Sequence, residues 1–507
     1  MLYNLYFHPL SKFPGPWWAA ISHGHEFYFD VILYGRFFKQ IEKMHEKYAT
    51  RLTLSLPCPI VRINPREIHI NDPDFYDSIY ASSAHIRNKD PGHIIFGSAP
   101  RALVSTISHS QHRLRRSILS PFFSKASILR VEPLIQAKAD RLIARLEEVG
   151  EEGRTVDLYI ALTAFASDTV SEYAYGVGYT NLEARDFNGY MHETITRLMH
   201  TVHVARFFPF LFPILSLLPV GLARRLSPGL GKILEYRAVM ARFVARALHE
   251  KGGEGKERAT LFEALASPSV PEQERTAARI EDEAWVVNLA ASETVARALT
   301  MLVFFVVKNE RVLRTLRGEL KPVMQMSECG STWKQLEALP YLTAVIHESL
   351  RLSFGPATRL PRISPDKPVV YKDWVIPPGH PMSSSVWYLN VNPTLYPDPL
   401  VFRPERWLEA AAQGARLPLF NFGRGARACL GINLAYAELY LVAASFIHRL
   451  CTPPYCIRLL DNPSVEDMMP YRDLVMGASK KGFFGLKIGV VRDGGEESGD
   501  EEVGRGE

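Results

Sequence analysis

The chain has 507 residues, of which 47% are hydrophobic and 22% are charged. This ordinary globular composition provides ample material for a core and excludes disorder of the whole chain. The formal net charge of +5 is small for this length, so we do not expect nucleic acid as a partner. The five cysteines are too few and too scattered for a disulfide framework, which favours a reducing compartment; they are Cys58, Cys329, Cys429, Cys451 and Cys456.

The composition divides the chain into three parts. Residues 1–20 form an aromatic, proline-containing segment whose apolar stretch is too short for a membrane-spanning helix, so we expect neither a signal peptide nor a transmembrane anchor in this chain. Residues 21–491 contain no Gly/Ser-rich or Pro-rich linker and predict one large domain. Residues 492–507 are Gly-rich and acidic, which predicts a disordered, solvated tail.

Long helical runs dominate the predicted domain. Ile135, Leu142 and Val149, for example, fall on one face of a helix that precedes Gly150. Short β-like pieces occur at about residues 52–70 and 369–388, where prolines and a glycine interrupt them. The sequence therefore predicts a mostly α fold with small β-sheets.

An apolar segment at residues 207–220 is interrupted by Pro209, Pro213 and Pro219, so it is too broken to span a bilayer. Two interpretations remain open for it. The segment either dips into a membrane surface or forms a buried loop that connects helices.

The most specific pattern precedes a helical run at residues 432–450. It reads Phe422-Gly423-Arg424-Gly425-Ala426-Arg427-Ala428-Cys429-Leu430-Gly431. Gly423 and Gly425 let the backbone pass close to a flat cofactor, and the dipole of the following helix favours an anionic sulfur at Cys429. Arg427 can pair with a carboxylate. A lone cysteine before a helix is usually a small buried residue, but the complete pattern indicates a metal thiolate.

This segment resembles the haem-ligand signature of the cytochrome P-450 superfamily, Phe-x-x-Gly-x-Arg-x-Cys-x-Gly, at every defined position. The resemblance implies the mostly α P-450 fold, with a single large domain that encloses haem b. It also implies that Cys429 is the axial thiolate ligand of the iron and that Arg427 pairs with a haem propionate.

Two further motifs resemble a structural triad of the same family. Residues 348–351 read Glu-Ser-Leu-Arg, and the spacing of three places Glu348 and Arg351 on one helical face. Such pairs are also common on helix surfaces, where they contribute little. Arg406, within Pro-Glu-Arg-Trp at residues 404–407, resembles the arginine that completes the triad. The resemblance implies that the three residues support the core on the haem side.

Residues 290–294 read Ala-Ala-Ser-Glu-Thr within an apolar run and resemble the oxygen-activating helix of the family. The resemblance implies that Thr294 and Glu293 are catalytic, because a hydroxyl beside dioxygen can relay protons that a nearby acid supplies. By itself, one Thr in an apolar helix is more often a buried residue. Ala291 replaces the usual Gly and Val295 replaces a common hydroxyl residue, which leaves the width of the oxygen site open.

Three more positions resemble the family's contacts to the haem propionates. His112 and Arg116 lie four residues apart in a basic helical segment, and Arg362 follows the Glu-x-x-Arg helix. A guanidinium can make two bonds to a carboxylate, whereas His112, at a position often held by Trp, donates one ring N–H. A solvated basic helix face is the competing interpretation of the first two positions.

The resemblance implies a monooxygenase that inserts oxygen from dioxygen into an apolar small molecule. Its electrons are expected from NADPH through a cytochrome reductase, since the chain contains no Gly-x-Gly-x-x-Gly motif for a dinucleotide. Arg113, Arg115 and Lys125 are candidates for the basic surface that meets the reductase. The candidate pocket segments, at about residues 85–108, 200–215 and 475–482, contain no feature that identifies a substrate.

The first residues, which read Tyr-Asn-Leu-Tyr-Phe-His-Pro-Leu at positions 3–10, resemble the region after the membrane anchor in fungal microsomal members, especially trichodiene oxygenase. This finer resemblance implies secondary metabolism of a terpenoid or polyketide, a place at the cytosolic face of the endoplasmic reticulum, and peripheral membrane contact.

Two other classes of function remain open. A haem-thiolate isomerase or dehydratase that acts on a peroxide needs no reductase and often lacks the acid and Thr pair. A non-catalytic haem-binding protein would keep Cys429 but would need no proton relay. The presence of Glu293 and Thr294 favours the monooxygenase.

Overall fold

The computed structural model describes residues 1–49, 59–94, 99–176, 178–226, 228–249, 260–325, 331–480 and 485–492. Several sequence predictions fall outside these residues. They concern Cys58 and Cys329, residues 52–58 of the first β-like piece, residues 95–98 and 481–482 of the candidate pocket, and residues 493–507 of the predicted tail.

Helices make up most of the described structure, as the sequence predicts. Side-chain caps explain where several of the long helices begin, since Ser124, Asp157 and Thr276 each accept a hydrogen bond from a backbone N–H of the first turn. The α-helices are α1 (Trp17–Ile21), α2 (Gly24–Phe27), α3 (Phe37–Ala49), α4 (Tyr76–Ile79), α5 (His109–Leu119), α6 (Lys125–Glu151), α7 (Leu158–Tyr175), α8 (Gly189–His200), α9 (Val202–Phe207), α10 (Leu211–Ser216), α11 (Val220–Leu226), α12 (Pro228–His249), α13 (Leu261–Leu265), α14 (Ala277–Lys308), α15 (Glu310–Gln325), α16 (Trp333–Glu337), α17 (Pro340–Ser353), α18 (Val386–Asn390), α19 (Glu405–Ala412), α20 (Ile432–Leu450) and α21 (Val465–Met468).

The strands are short and form four small sheets. They are β1 (Ile60–Arg62), β2 (Ile68–Ile70), β3 (Asn88–Lys89), β4 (Thr155–Asp157), β5 (Arg362–Ile363), β6 (Val369–Tyr371), β7 (Trp374–Ile376), β8 (Pro381–Ser383), β9 (Tyr455–Leu459), β10 (Arg472–Leu474), β11 (Met476–Ala478) and β12 (Lys487–Arg492). The largest sheet has the order β1-β2-β8-β5-β3, another has the order β4-β12-β9, and β6-β7 and β10-β11 are hairpins. In the largest sheet β2 and β8 are parallel, and the other neighbours are antiparallel.

Most of the predicted elements are present, and two differ in detail. Residues 386–388, expected in a β-like piece, begin helix α18, whose side chains are all buried, so packing outweighs local strand propensity. Helix α6 buries Ile135, Leu142 and Val149 as predicted but continues past Gly150. A Cβ at Gly150 would lie 2.6 Å from the carbonyl oxygen of Val490, so this glycine permits close packing on β12.

The long helices α6, α7, α14 and α20 pack against one another around the main core. Helix α14 runs through its centre. This helix has the length and apolar character needed to cross a membrane, but 78% of its most apolar window is buried within the protein. Such burial is typical of a core helix.

Candidate active site

Cys429 lies in a loop between the 3-10 turn Gly425–Arg427 and the first residue of α20. The backbone N–H of Cys429 donates a hydrogen bond to the Phe422 carbonyl over 2.8 Å, which closes the loop. Burial raises the pKa of the Cys429 thiol, while a hydrogen bond from the Gly431 N–H and the charge of Arg116 lower it. The side chain is nevertheless accessible. A side chain that is both accessible and desolvated borders an internal cavity.

Helix α14 also has an accessible stripe. Val287, Ala290, Ala291 and Thr294 are partly or fully accessible, whereas most other residues of this helix are buried. Their spacing of three and four residues places them on one helical face. A stripe of this kind in the middle of a core helix borders internal space. The Thr294 hydroxyl lies on the stripe and donates to the Ala290 carbonyl over 2.8 Å.

The two departures from the family pattern lie on different sides of α14. Ala291 belongs to the accessible stripe, so its methyl group occupies space beside Thr294. Val295 is 3% exposed and packs into the core. Its lack of a hydroxyl therefore does not change the accessible face.

A basic cluster surrounds the cysteine loop; its members are Lys89, His112, Arg116, Arg362 and Arg427. Strand pairing places Lys89 directly opposite Arg362, an arrangement that is unfavourable without a neutralising anion. Burial and, to a smaller extent, the positive charges of Arg427 and Lys89 lower the pKa of His112 to about 2, so the imidazole is neutral. Burial and, to a smaller extent, the positive charge of Arg362 lower the pKa of Arg427 to about 9.

The basic cluster lacks a counter-ion within the described part of the chain. None of its four Lys and Arg side chains forms an ion pair with a carboxylate there. The neighbouring groups that shift the pKa values of these side chains are other cations, tyrosines and Cys429. The Nε of Arg427 also has no hydrogen-bond partner among the described residues. Arg362 is buried and the other three cations are partly buried, so the cluster fits a ligand that brings its own carboxylates, as haem b does with its two propionates.

Contacts to backbone hold the cluster against the cysteine loop. Arg116 donates to the Ala428 carbonyl over 2.7 Å, and Arg427 donates to the Thr106 and Ile107 carbonyls over 2.7 and 2.8 Å. Sequence reasoning identified four members of the cluster and missed Lys89. No local pattern marks Lys89, because only its pairing with a strand far along the chain places it beside the other cations.

The three triad residues meet in the core. The Arg351 guanidinium donates to both oxygens of Glu348 over 2.8 and 2.9 Å, and Arg406 Nε donates to Glu348 Oε1 over 3.0 Å. Trp407 Nε1 donates to Glu348 Oε2 over 2.9 Å. Arg351 and Glu348 are completely buried. Arg351 also binds the Asn390 carbonyl over 2.7 Å, so the network connects α17, α18 and α19.

We expect Arg351→Ala to destabilise the protein by about 3–5 kcal/mol, because it leaves the Glu348 carboxylate buried without its partner. Urea unfolding measures the change. Arg311 is the matched control, since it pairs with Glu405 over 2.6 Å on the surface and is 62% exposed. Its replacement by Ala should cost at most about 1 kcal/mol. Equal losses in the two variants would show that the buried network does not stabilise the fold.

Glu293 and Thr294 are adjacent in sequence but lie on different faces of α14. Glu293 is 5% exposed, and its Oε2 accepts a hydrogen bond from the Tyr159 hydroxyl over 2.7 Å. Its Oε1 lies 3.5 Å from Nδ1 of His192. Consecutive residues of a helix do not face each other. The structure therefore holds the carboxylate behind the stripe that carries the Thr294 hydroxyl.

The predicted reductase surface is wrong for Arg115. This side chain is buried, and its Nε donates to Glu274 over 2.7 Å. The reason is helical spacing, since Arg113 and Arg115 are two residues apart and project in different directions. Arg113 is exposed. Lys125 is exposed as well and pairs with Glu337 over 2.6 Å.

The apolar segment at residues 207–220 lies at the surface, so its interpretation as a buried loop is wrong. Phe208 is 39% exposed, Phe210 60%, Ile214 57% and Leu217 84%. Aromatic side chains near the N-terminus are exposed too, with Tyr3, Tyr6, Phe7 and Trp17 each more than half accessible.

The fold and this site define a haem-thiolate protein, and comparison with known proteins gives the family. The cytochrome P-450 family model matches residues 22–452. Conidiogenone synthase PchP450 of Penicillium rubens is 39% identical over 97% of this chain and 96% of its own. The cytochrome P-450 monooxygenase TRI4 of Fusarium sporotrichioides is 36% identical over 93% of this chain and 89% of its own. The chain belongs to the cytochrome P-450 family.

A solved structure supports the fold. A cytochrome P-450 of known crystal structure superposes with a TM-score of 0.66 at 17% identity, covering 90% of this chain and 94% of its own. The predicted mostly α P-450 fold is therefore confirmed, as is the predicted similarity to fungal members. The protein is a haem-thiolate monooxygenase whose cofactor is haem b, with the thiolate of Cys429 as axial ligand of the iron.

Proposed function

We propose that this chain oxidises an apolar small molecule of fungal secondary metabolism, of the terpenoid or polyketide class. The accessible stripe of α14 carries this proposal, because Thr294 is a lone hydroxyl on an otherwise apolar face that borders internal space. Hydrophobic pockets with a few placed polar groups are typical of sites for apolar substrates. The relatives point the same way, since one is named a conidiogenone synthase.

The basic cluster is proposed to hold the haem. Arg116, Arg362 and Arg427 would bind its propionates as charged donors, and neutral His112 would add a single N–H. Lys89 would join them, because its pairing with Arg362 places it at the same anion site. When bound, the haem with its thiolate ligand reduces dioxygen with two electrons and two protons, inserting one oxygen atom into the substrate and releasing the other as water.

The protein supplies the two protons in this proposal. The Thr294 hydroxyl would hold a water molecule at the accessible stripe and pass protons from it, and Glu293 would feed them from behind the stripe. The triad of Glu348, Arg351 and Arg406 would act structurally, by connecting the helices that support the haem-side core.

A cytochrome reductase that carries electrons from NADPH is the proposed partner, with Arg113 and Lys125 on the surface that meets it. The direct test is turnover of this protein with such a reductase, followed by metabolite profiling of a host that expresses both. We expect a new oxygenated product that requires NADPH and dioxygen. Product formation without NADPH, or haem binding without any oxygenated product, would contradict this function.

The exposed apolar residues support peripheral contact with a membrane, which we propose to be the cytosolic face of the endoplasmic reticulum. The ring of Phe27 lies 5.2 Å from that of Phe207 and 6.2 Å from that of Phe208. The segment at residues 207–220 therefore contacts α2, which follows the aromatic N-terminal segment in the chain. Apolar side chains gain about 25 cal/mol for each square ångström that they bury in lipid.

We expect part of the protein to float with liposomes. The floated fraction should fall severalfold when Ser replaces Phe208, Phe210, Ile214 and Leu217 together. This corresponds to a loss on the order of 1 kcal/mol or more in binding free energy. The control is the replacement of Leu400 and Val401 by Ser, since these side chains are 48% and 56% exposed on a different segment. An unchanged floated fraction in the first variant would contradict the membrane contact of this segment.

A further inference from the structure

A buried polar cluster joins three helices behind the accessible stripe of α14. Its centre is the Glu293 carboxylate, whose two oxygens have different neighbours. The Tyr159 hydroxyl of α7 donates to Oε2 over 2.7 Å, and His192 Nδ1 of α8 lies 3.5 Å from Oε1. The Tyr159 and His192 rings also make an edge contact, with their centroids 5.0 Å apart. The carboxylate is therefore held between a phenol and an imidazole.

His192 connects this buried carboxylate to the outside. Its side chain is 16% exposed, compared with 6% for that of Glu293. Its second ring nitrogen, Nε2, lies 3.4 Å from the Thr196 hydroxyl one turn further along α8. The two ring nitrogens thus face opposite ways, one inward to Glu293 and one outward to Thr196.

A small cavity of about 10 Å³ adjoins His192 between α7, α8 and α14, and it has room for about one water molecule. Its lining is mixed, with apolar side chains such as Ile160 beside the polar side chains of Ser167, Asn288 and Ser292. Asn288 is itself held in place, since it accepts a hydrogen bond from the Tyr236 hydroxyl over 2.7 Å. The polar side chains supply the hydrogen-bond partners that an ordered water molecule needs.

Several other charged or titratable groups act on the cluster from the elements packed around it. Asp157 caps α7, Tyr236 approaches from α12 and Arg297 follows Glu293 by one turn of α14. Burial alone would lower the pKa of His192, but the carboxylates of Glu293 and then Asp157 outweigh it and raise this pKa above its ordinary value. His192 therefore keeps its proton to a higher pH than an ordinary imidazole does.

We propose that His192 delivers protons from this cavity to Glu293, while Tyr159 fixes the other carboxylate oxygen. The proposal rests on the role of Glu293 as the proton source under the proposed function. The imidazolium donates its Nδ1 proton to Oε1 of Glu293 and keeps the proton on Nε2. A turn of the ring toward the cavity then lets Nδ1 take up a proton that the cavity water passes on from bulk solvent, so that the water is left neutral, and the ring turns back.

A purely structural role is the alternative, because a buried carboxylate needs hydrogen-bond partners in any case. The two roles differ in what they make pH-dependent. If His192 only positions Glu293, its replacement changes oxygen reduction equally at all pH values. If His192 carries protons, the effect of its replacement depends on whether His192 is protonated at that pH.

The test measures hydrogen peroxide formed per NADPH consumed by the haem-loaded protein with a reductase and no added substrate. Each peroxide consumes one NADPH, whereas complete reduction of dioxygen to two waters consumes two NADPH and more protons. Poor proton delivery therefore raises the ratio. In the parent protein we expect the ratio to rise as the pH increases through the raised pKa at which His192 loses its proton.

His192→Gln is expected to show a high ratio at the lower pH as well, so that the pH dependence is lost. Tyr159→Phe should raise the ratio but keep the pH dependence, because His192 remains. His448→Gln, at a partly buried histidine of α20 outside the cluster, is the matched control and should behave like the parent. Retention of the parent's pH dependence in His192→Gln would overturn the proposal.

A second measurement, the midpoint of thermal unfolding of the haem-loaded protein, tests the pair without turnover. A raised pKa means that the stabilising contribution of His192 is complete below its ordinary pKa and disappears as the pH rises through the raised value. His192→Gln should therefore lower the midpoint more at about pH 6 than at about pH 8.5. An equal loss at both pH values would show that the His192 and Glu293 pair is not charged, and it would overturn the proposal.

Glu293→Gln separates failure of this inference from failure of the proposed function. If Glu293→Gln raises the peroxide ratio and His192→Gln does not, Glu293 is the proton source but His192 does not supply it. If Glu293→Gln leaves the ratio unchanged, the proposed role of Glu293 is wrong, and the relay through His192 is wrong with it.

Discussion

Replacement of Cys429 by Ala is expected to abolish the absorption signature of a thiolate-ligated, reduced carbon monoxide complex. Cys429 is accessible, and its sulfur receives a hydrogen bond from the Gly431 N–H. Cys451 is buried in the core and Cys456 lies on strand β9, so neither described cysteine can take its place. The loss should be complete, because the variant has no sulfur at the position of the axial ligand.

Two variants serve as controls for this experiment. Cys456→Ala should keep the signature. Arg427→Ala should weaken haem retention while leaving the type of axial ligand unchanged, because Arg427 is a member of the basic cluster and not a ligand of the iron. A thiolate signature that persists in Cys429→Ala would show that another residue ligates the iron.

Thr294→Ala and Glu293→Gln are expected to reduce the rate of product formation by about 10²-fold to 10⁴-fold, the range typical of general acid–base groups. Haem and substrate binding should persist, since Thr294 makes a local bond to its own helix and Gln retains the size of Glu293. Electrons from NADPH would then leave as peroxide or water instead of product. The measurement is product, peroxide and NADPH together, once a substrate has been found by metabolite profiling.

The matched control is Thr300→Val, which removes another hydroxyl from the same helix. Thr300 is completely buried, and its Oγ1 has no hydrogen-bond partner among the described residues. Its loss should leave the yield of product per NADPH unchanged. The same unchanged yield in both Thr294→Ala and Glu293→Gln would reject these residues as the proton relay.

The sequence by itself determined the features that depend on local spacing. The cysteine loop and the helix at residues 432–450 follow from a continuous run of residues, and the structure has this helix at Ile432–Leu450. The pairing of Glu348 with Arg351 follows from their separation by three residues on one helix. Resemblance to a known family then extended the short motifs to a complete fold, because each motif occupies the expected place along the chain.

Only the tertiary structure decided which way several side chains face. Arg115 is two residues from an exposed Arg113 and is buried against Glu274, and the Glu293 carboxylate lies behind the stripe that its neighbour Thr294 occupies. Lys89 belongs to the basic cluster only because its strand pairs with Arg362. Helical and strand periodicity is a local property, whereas the direction of the core is set by elements that come from distant parts of the chain.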